Sequence, residues 1–188
     1  MSARRWLLPP TVALLCVALT SLLQQTLATR TEAERQASEQ RQLLDLLPPR
    51  SYDNQPLQRP LSLPGQATPA YRASLDGRLT AVLLILDTQG YEGPIRLLVA
   101  IDPDGRLIGS KVLAQRETPS LGDAIVRPQW LAQFHAATPN SRWQWRMEGG
   151  DFDQIAGATL SSRAVLLGVQ RALQLFAANR ERLLEATP

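Results

Sequence analysis

At 188 residues the chain has room for one domain plus an anchor. A formal charge of +3 and a pI near 9.6 invite a nucleic-acid partner. However, Arg4 and Arg5 precede an apolar run that every acidic residue follows, which leaves the remainder near neutrality, with scattered arginines and no basic stripe; nucleic-acid binding is excluded on that footprint. One histidine and one cysteine leave no metal-ligand cluster, no disulfide within the chain and no thiol catalysis outside the apolar run.

The first element is the uncharged stretch Leu7 to Leu23, read as a single transmembrane helix within a segment 1–29. It is short against the about 20 residues that a span needs, a shortage relieved by Trp6 and the uncharged Gln24 to Thr29. Pro9 and Pro10 fall in the first turn, where missing donors cost least. Arg4 and Arg5 place the N-terminus in the cytoplasm and the rest outside, by the positive-inside rule. A cleaved signal peptide ending at Thr26-Leu27-Ala28 is the rival reading, weakened by the length of the run. Cys16 lies inside this run without the small preceding residue of a lipoprotein site, and reads as a small hydrophobe.

Residues 30–49 read as a helical stalk: Thr31 to Leu47 is polar, free of Gly and stopped by Pro48-Pro49, with Leu43, Leu44, Leu46 and Leu47 docking its far end. The prolines at 56, 60, 64 and 69 predict an irregular covering segment over 50–70. Strands are expected at Leu79 to Leu86, Ile95 to Ile101 and Leu107 to Leu113, the last two joined by the turn Asp102-Pro103-Asp104-Gly105. Alternating Trp143 and Trp145 suggest a fourth strand over Arg142 to Met147. Pro128 to Phe134 predicts a short helix, with His135 an ordinary residue at its end. A final helix runs from the Thr159 region to about Ala178, capped by Ser161 or Ser162; Val165, Leu166, Val169, Ala172, Leu173 and Phe176 form its apolar face. The fold class is α+β, with an antiparallel sheet and flanking helices over 50–188.

Chemistry concentrates where that helix begins. A helix N-terminus offers free amides and the positive end of a macrodipole, which suits a phosphate. Gly157 allows close backbone approach, Ala158 keeps it uncrowded, and Thr159 supplies a hydroxyl. Ser161 and Ser162 can donate to phosphate oxygens or cap the helix. Standing alone, Gly-Ala-Thr before a helix is equally ordinary turn-and-cap chemistry.

Two motifs carry a resemblance that goes further. Asp153 to Ser162 (DQIAGATLSS) resembles the flavinylation signature of covalent FMN-binding domains: aspartate, two variable residues, a small residue, then Gly-Ala-Thr. Arg116 to Gly122 (RETPSLG) resembles the loop that faces the flavin in those domains. With Tyr91-Glu92-Gly93-Pro94-Ile95, Asp123-Ala124-Ile125, Trp130 to Phe134, Glu148 to Asp153 and the anchor, the chain resembles the G subunit of the ion-translocating, Rnf/Rsx-type electron transport complex, densest over about 91–178.

The resemblance implies FMN joined through its phosphate to Thr159, as a phosphoryl threonine. Gly157, Ala158, Leu160 and Ser161 would surround the link, Asp153 would be read by a flavin transferase, and Glu117, Thr118, Pro119, Leu121 and Gly122 would face the isoalloxazine. It implies an electron-carrier subunit, not a complete enzyme, on the outer (periplasmic) face of a bacterial inner membrane, with other membrane subunits as partners. Ala156 stands where serine or threonine is usual, Ser120 where glycine is usual, and Arg116 where histidine often stands. Alternatives are the C subunit of sodium-pumping NADH:quinone reductase, another flavinylated carrier, or a cofactor-free anchored binding module.

Overall fold

The computed structural model describes residues 43–64, 67–119 and 122–185. The expected anchor and most of the expected stalk lie outside them. Among the described residues no helix is long and apolar enough to cross a membrane.

Three strands form where β-branched apolar runs stand between turn residues: β2, Arg78–Gln89; β3, Pro94–Ile101; and β4, Leu107–Ala114. The turn before β4 forms as its sequence demands. Gly105 takes φ +85, and the Asp102 carboxylate accepts from the Arg106 amide at 2.8 Å.

The fourth strand is not Arg142 to Met147. It is β1, Ala70–Leu75, at the edge of an antiparallel sheet of order β1-β2-β3-β4. β1 pairs with β2 through a register shift at Ala73/Ser74 and turns only small or shielded side chains inward, Ala70 and Ala73 being fully buried. The irregular covering segment before it holds one 3-10 turn, Pro56–Gln58. Leu61 exchanges backbone hydrogen bonds with Ala70 at 2.8 Å in both directions.

One sheet face makes the core. Val82, Leu84 and Leu86 of β2 stand opposite Ile101, Val99 and Leu97 of β3, while Leu83, Leu98 and Ala100 on the other face are buried as well, so the two central strands read as near-continuous apolar runs. The helix that covers them is Thr159–Ala178, called α2 here because a short α1, Pro128–Leu131, precedes it. Its predicted apolar face (Val165, Leu166, Val169, Ala172, Leu173, Phe176) is buried in the same cluster. Each of these side chains except Ala172 contributes about 1.5–3 kcal/mol on leaving water. Gly168 permits the close approach, since a Cβ there would stand 2.5 Å from Leu97 Cδ1 and 3.4 Å from Thr88 Cγ2. The Thr88 hydroxyl donates to the Ala164 carbonyl at 3.1 Å, fixing α2 along the sheet. A last helix, α3, Arg180–Leu184, buries Leu183.

α1 begins with Pro128 at its first turn, as expected, and tightens into a 3-10 turn over Ala132–Phe134. His135 follows it, exposed, its ring nitrogen 2.8 Å from the Ile108 carbonyl. On the stalk side, Leu47 is buried and Leu46 lies against β4 at Gly109.

Residues 142–152 form a closed loop rather than a strand, because their backbone bonds are local. Gly150 N–H donates to Trp145 O at 2.9 Å, Asp151 N–H to Arg142 O at 3.1 Å, and Arg146 N–H to Phe152 O at 2.7 Å. Trp143 stacks on Phe152 with centroids 4.8 Å apart, and Phe152 packs on Phe134 at 5.1 Å. The alternating tryptophans thus mark an aromatic plug, not a sheet face. Gly150 allows the loop to close: a Cβ there would overlap the Gln144 carbonyl and stand 2.7 Å from Gln144 Cα. Gly150→Ala is therefore expected to destabilise the protein by about 1–3 kcal/mol. Urea unfolding of the variant beside the parent checks this; coincident midpoints would show that the loop relaxes freely.

Candidate functional site

The helix bearing Thr159 starts without a side-chain cap. Ala158 holds the capping position with no side-chain bond, so Ser161 and Ser162 do not cap α2 as expected but sit inside its first turn. Both hydroxyls are committed elsewhere. Ser162 Oγ accepts from the Ile155 amide at 3.1 Å, and Ser161 Oγ donates to a carboxylate oxygen of Glu117. The preceding turn depends on Gly157 at φ +83, a left-handed position that favours glycine. Ser162 N–H is the first to find a partner, on Ala158 O at 2.9 Å. The amides of Thr159, Leu160 and Ser161 have no acceptor among the described residues. Three free donors at the positive end of a 20-residue helix make an anion site.

The second motif meets the first here. A cavity of about 360 Å³ is lined by Gly157, Ala158, Thr159, Leu160 and Ser161 on one side and by Glu117, Thr118 and Gly122 on the other. The loop is drawn tight by the Thr118 carbonyl, which accepts from the Gly122 amide at 2.9 Å and the Asp123 amide at 3.3 Å. Pro119 is exposed and is not among the residues that line the cavity. Leu121 and Ser120 lie outside the described residues. Tyr91, which no residue pattern singled out as a site residue, also lines the cavity and is 67% exposed.

Asp153 is not part of that lining. Its carboxylate pairs with Arg146 at 3.1 Å, both side chains being largely exposed. Its carbonyl accepts from Trp130 Nε1 at 2.8 Å and Gln133 Nε2 at 3.2 Å, and its amide donates to Gln133 Oε1 at 2.6 Å. An exposed ion pair contributes at most about 1 kcal/mol, so the clamp on the backbone matters more than the charge. Arg146, Trp130 and Gln133 thus hold the start of the motif; Asp153 itself announced this only through its place in the signature.

A second ion pair braces the same loop. The Arg142 amide and then its guanidinium hold the Asp151 carboxyl below its ordinary value of 3.8, bonding at 2.9 Å and 2.7 Å. Because the folded-state value is the lower one, the stabilisation is present above 3.8 and is lost as pH falls through the folded value. Unfolding measured down an acid series should show the difference between the parent and Asp151→Asn shrinking below pH 3.8. A constant difference would contradict the linkage.

The site suits FMN on two counts visible in the structure. Unpaired amides await an anion, and the cavity volume falls within the roughly 300–1,000 Å³ typical of small-molecule sites. Residues 90–174 match the FMN-binding domain family, a span that takes in both motifs. The G subunit of the ion-translocating oxidoreductase complex from Pseudomonas aeruginosa is 45% identical over 187 residues, 92% of this chain and 87% of its own length. This chain belongs to that G-subunit family. A second family member, from Stutzerimonas stutzeri, is 40% identical over 177 residues, 88% of this chain and 76% of its own. The crystal structure of Shewanella oneidensis NqrC superposes with a TM-score of 0.52 at 21% identity, over 66% of this chain and 69% of that one. That likeness shows a shared fold. At 45% identity the G-type relatives outweigh the expected alternative of an NADH:quinone reductase C subunit. The domain is therefore an FMN-binding domain built on a four-strand antiparallel sheet with a few helices.

Proposed function

We propose that this chain is an electron-carrier subunit of an ion-translocating oxidoreductase complex, holding FMN by a phosphoester to Thr159. The observation that carries the reading is the position of Thr159. It opens α2 beside three free amides, in the cavity where both motifs meet. An ester at Thr159 Oγ1 would differ from free FMN and the free hydroxyl by one water lost. The amides of Thr159, Leu160 and Ser161 would hold its phosphate oxygens, and the helix dipole would favour the remaining negative charge.

Bound FMN supplies reversible electron uptake; the chain supplies tethering, orientation and electrostatics. Gly157 brings the backbone close at its left-handed φ of +83. Glu117, Thr118 and Gly122, the last bonded to the Thr118 carbonyl, wall the ring on one side, and Tyr91 and Leu160 add exposed apolar surface along the cavity lining. Arg146, Trp130 and Gln133 hold Asp153, so that the acceptor turn is presented in one conformation.

In this reading the anchor over 1–29 spans a bacterial inner membrane with its N-terminus cytoplasmic. The stalk over 30–49 carries the domain on the periplasmic side, beside the other membrane subunits, and a flavin transferase matures it. Co-expression with a flavin transferase, denaturation and in-gel fluorescence test the cofactor assignment. A fluorescent band at the mass of the chain is the expected result. A dark band with an active transferase present, shown by labelling of a known acceptor, would overturn it.

A further inference from the structure

We propose that Glu117, seconded by Glu92, imposes a negative field on the flavin pocket and thereby lowers the reduction potential of the FMN; this rests on the cofactor reading above. Glu117 is the one buried charged side chain among the described residues, 5% exposed, and it lines the cavity that Thr159 lines. Its partners are donors: Ser161 Oγ, and the Glu92 amide at 3.2 Å. That is the pattern expected around an acceptor-only carboxylate.

The surroundings are shaped to admit it. A Cβ at Gly122 would stand 2.6 Å from Glu117 Cβ, and a Cβ at Gly90 would overlap Glu117 Oε1. The Glu92 carboxylate lies just beyond, accepting from the Thr118 hydroxyl. Among the described residues neither acid has a salt bridge. Burying a charge without an ionic partner is costly, whereas a neutral amide could keep the tie to α2 at less cost, its oxygen accepting from the Glu92 amide and its NH2 donating to a Ser161 hydroxyl turned to accept. The charge therefore does something that the tie does not require. Reduction places added electron density on the flavin, and a fixed negative group in a low-dielectric wall opposes it.

The test is a spectroelectrochemical titration of the flavin in the full chain, after the mass of the denatured protein has shown one FMN per molecule. Glu117→Gln, which keeps the shape and the acceptor oxygen, is expected to raise the midpoint potential by about tenfold in the one-electron equilibrium, or about 59 mV. Glu117→Asp, which keeps the charge, should stay near the parent, and Glu92→Gln should move upward by less. A loaded Glu117→Gln protein with unchanged or lowered potential overturns the proposal, as does an equal shift in Glu117→Asp, which would mark a packing effect. Should the Glu117 variants fail to take FMN, Glu92→Gln decides, and an unchanged potential there counts as refutation. A parent protein without FMN would instead sink the assignment at Thr159, so the two failures are distinct.

Discussion

Thr159→Ala is expected to abolish covalent flavin completely while leaving the fold in place. Thr159 is exposed and its hydroxyl makes no hydrogen bond among the described residues. Removing it should change stability by no more than about 0.5 kcal/mol, as for surface positions without special contacts. Neither serine of the first helical turn can substitute. Ser161 is 2% exposed and bonded to Glu117, while Ser162 is fully buried and bonded to the Ile155 amide. Thr159→Ser restores an alcohol at the same place and should recover labelling. In-gel fluorescence of the three proteins, with thermal melts alongside, separates the outcomes. Fluorescence persisting in Thr159→Ala would refute the site, and a collapsed melt would show that the residue is structural.

Phe152→Ala should carry the largest cost in stability, about 3–5 kcal/mol, the range for emptying a buried aromatic position. Phe152 is 2% exposed, stacks on Trp143 at 4.8 Å and packs on Phe134 at 5.1 Å. Phe134 in turn meets Trp130 edge-on at 5.5 Å. The cavity left would loosen the plug that supports the acceptor turn, because Asp153 follows directly and Trp130 clamps its carbonyl. Flavin loading should therefore fall together with stability. Urea unfolding of the full chain measures the first, and labelling rate at fixed transferase measures the second. A loss below about 1 kcal/mol would mean that the aromatic contacts are not supporting this loop.

What could be read from residues alone divides along physical lines. The strands β2 and β3 and the long helix α2 are legible because they bury long apolar runs or faces, and β4 because the turn before it marks its start. The expected Leu79 to Leu86 and Ile95 to Ile101 differ from the observed strands only at their ends. β1 escaped because an edge strand buries little: Ala70 and Ala73 carry almost no hydropathy signal, and Tyr71, Arg72 and Ser74 between them read as loop. Trp143 and Trp145 misled in the opposite sense. Their alternation is real and both turn inward, but their backbone bonds stay within the loop.

At the site, the start of a helix at Thr159 was legible from the turn residues before it. The tie from Ser161 to Glu117 was not, because nothing in its neighbourhood announces that a carboxylate 44 positions away in sequence takes its hydroxyl. Nor could spacing show that Asp153 is held by Arg146, Trp130 and Gln133.

The most direct test of the covalent assignment is mass spectrometry of the chain purified from membranes that contain an active flavin transferase. Trypsin should release Met147 to Arg163 as one peptide, which includes Thr159. That peptide should be heavier by one FMN less a water, with fragmentation placing the group on Thr159. The same peptide found wholly unmodified, or the flavin found on another residue, would contradict it.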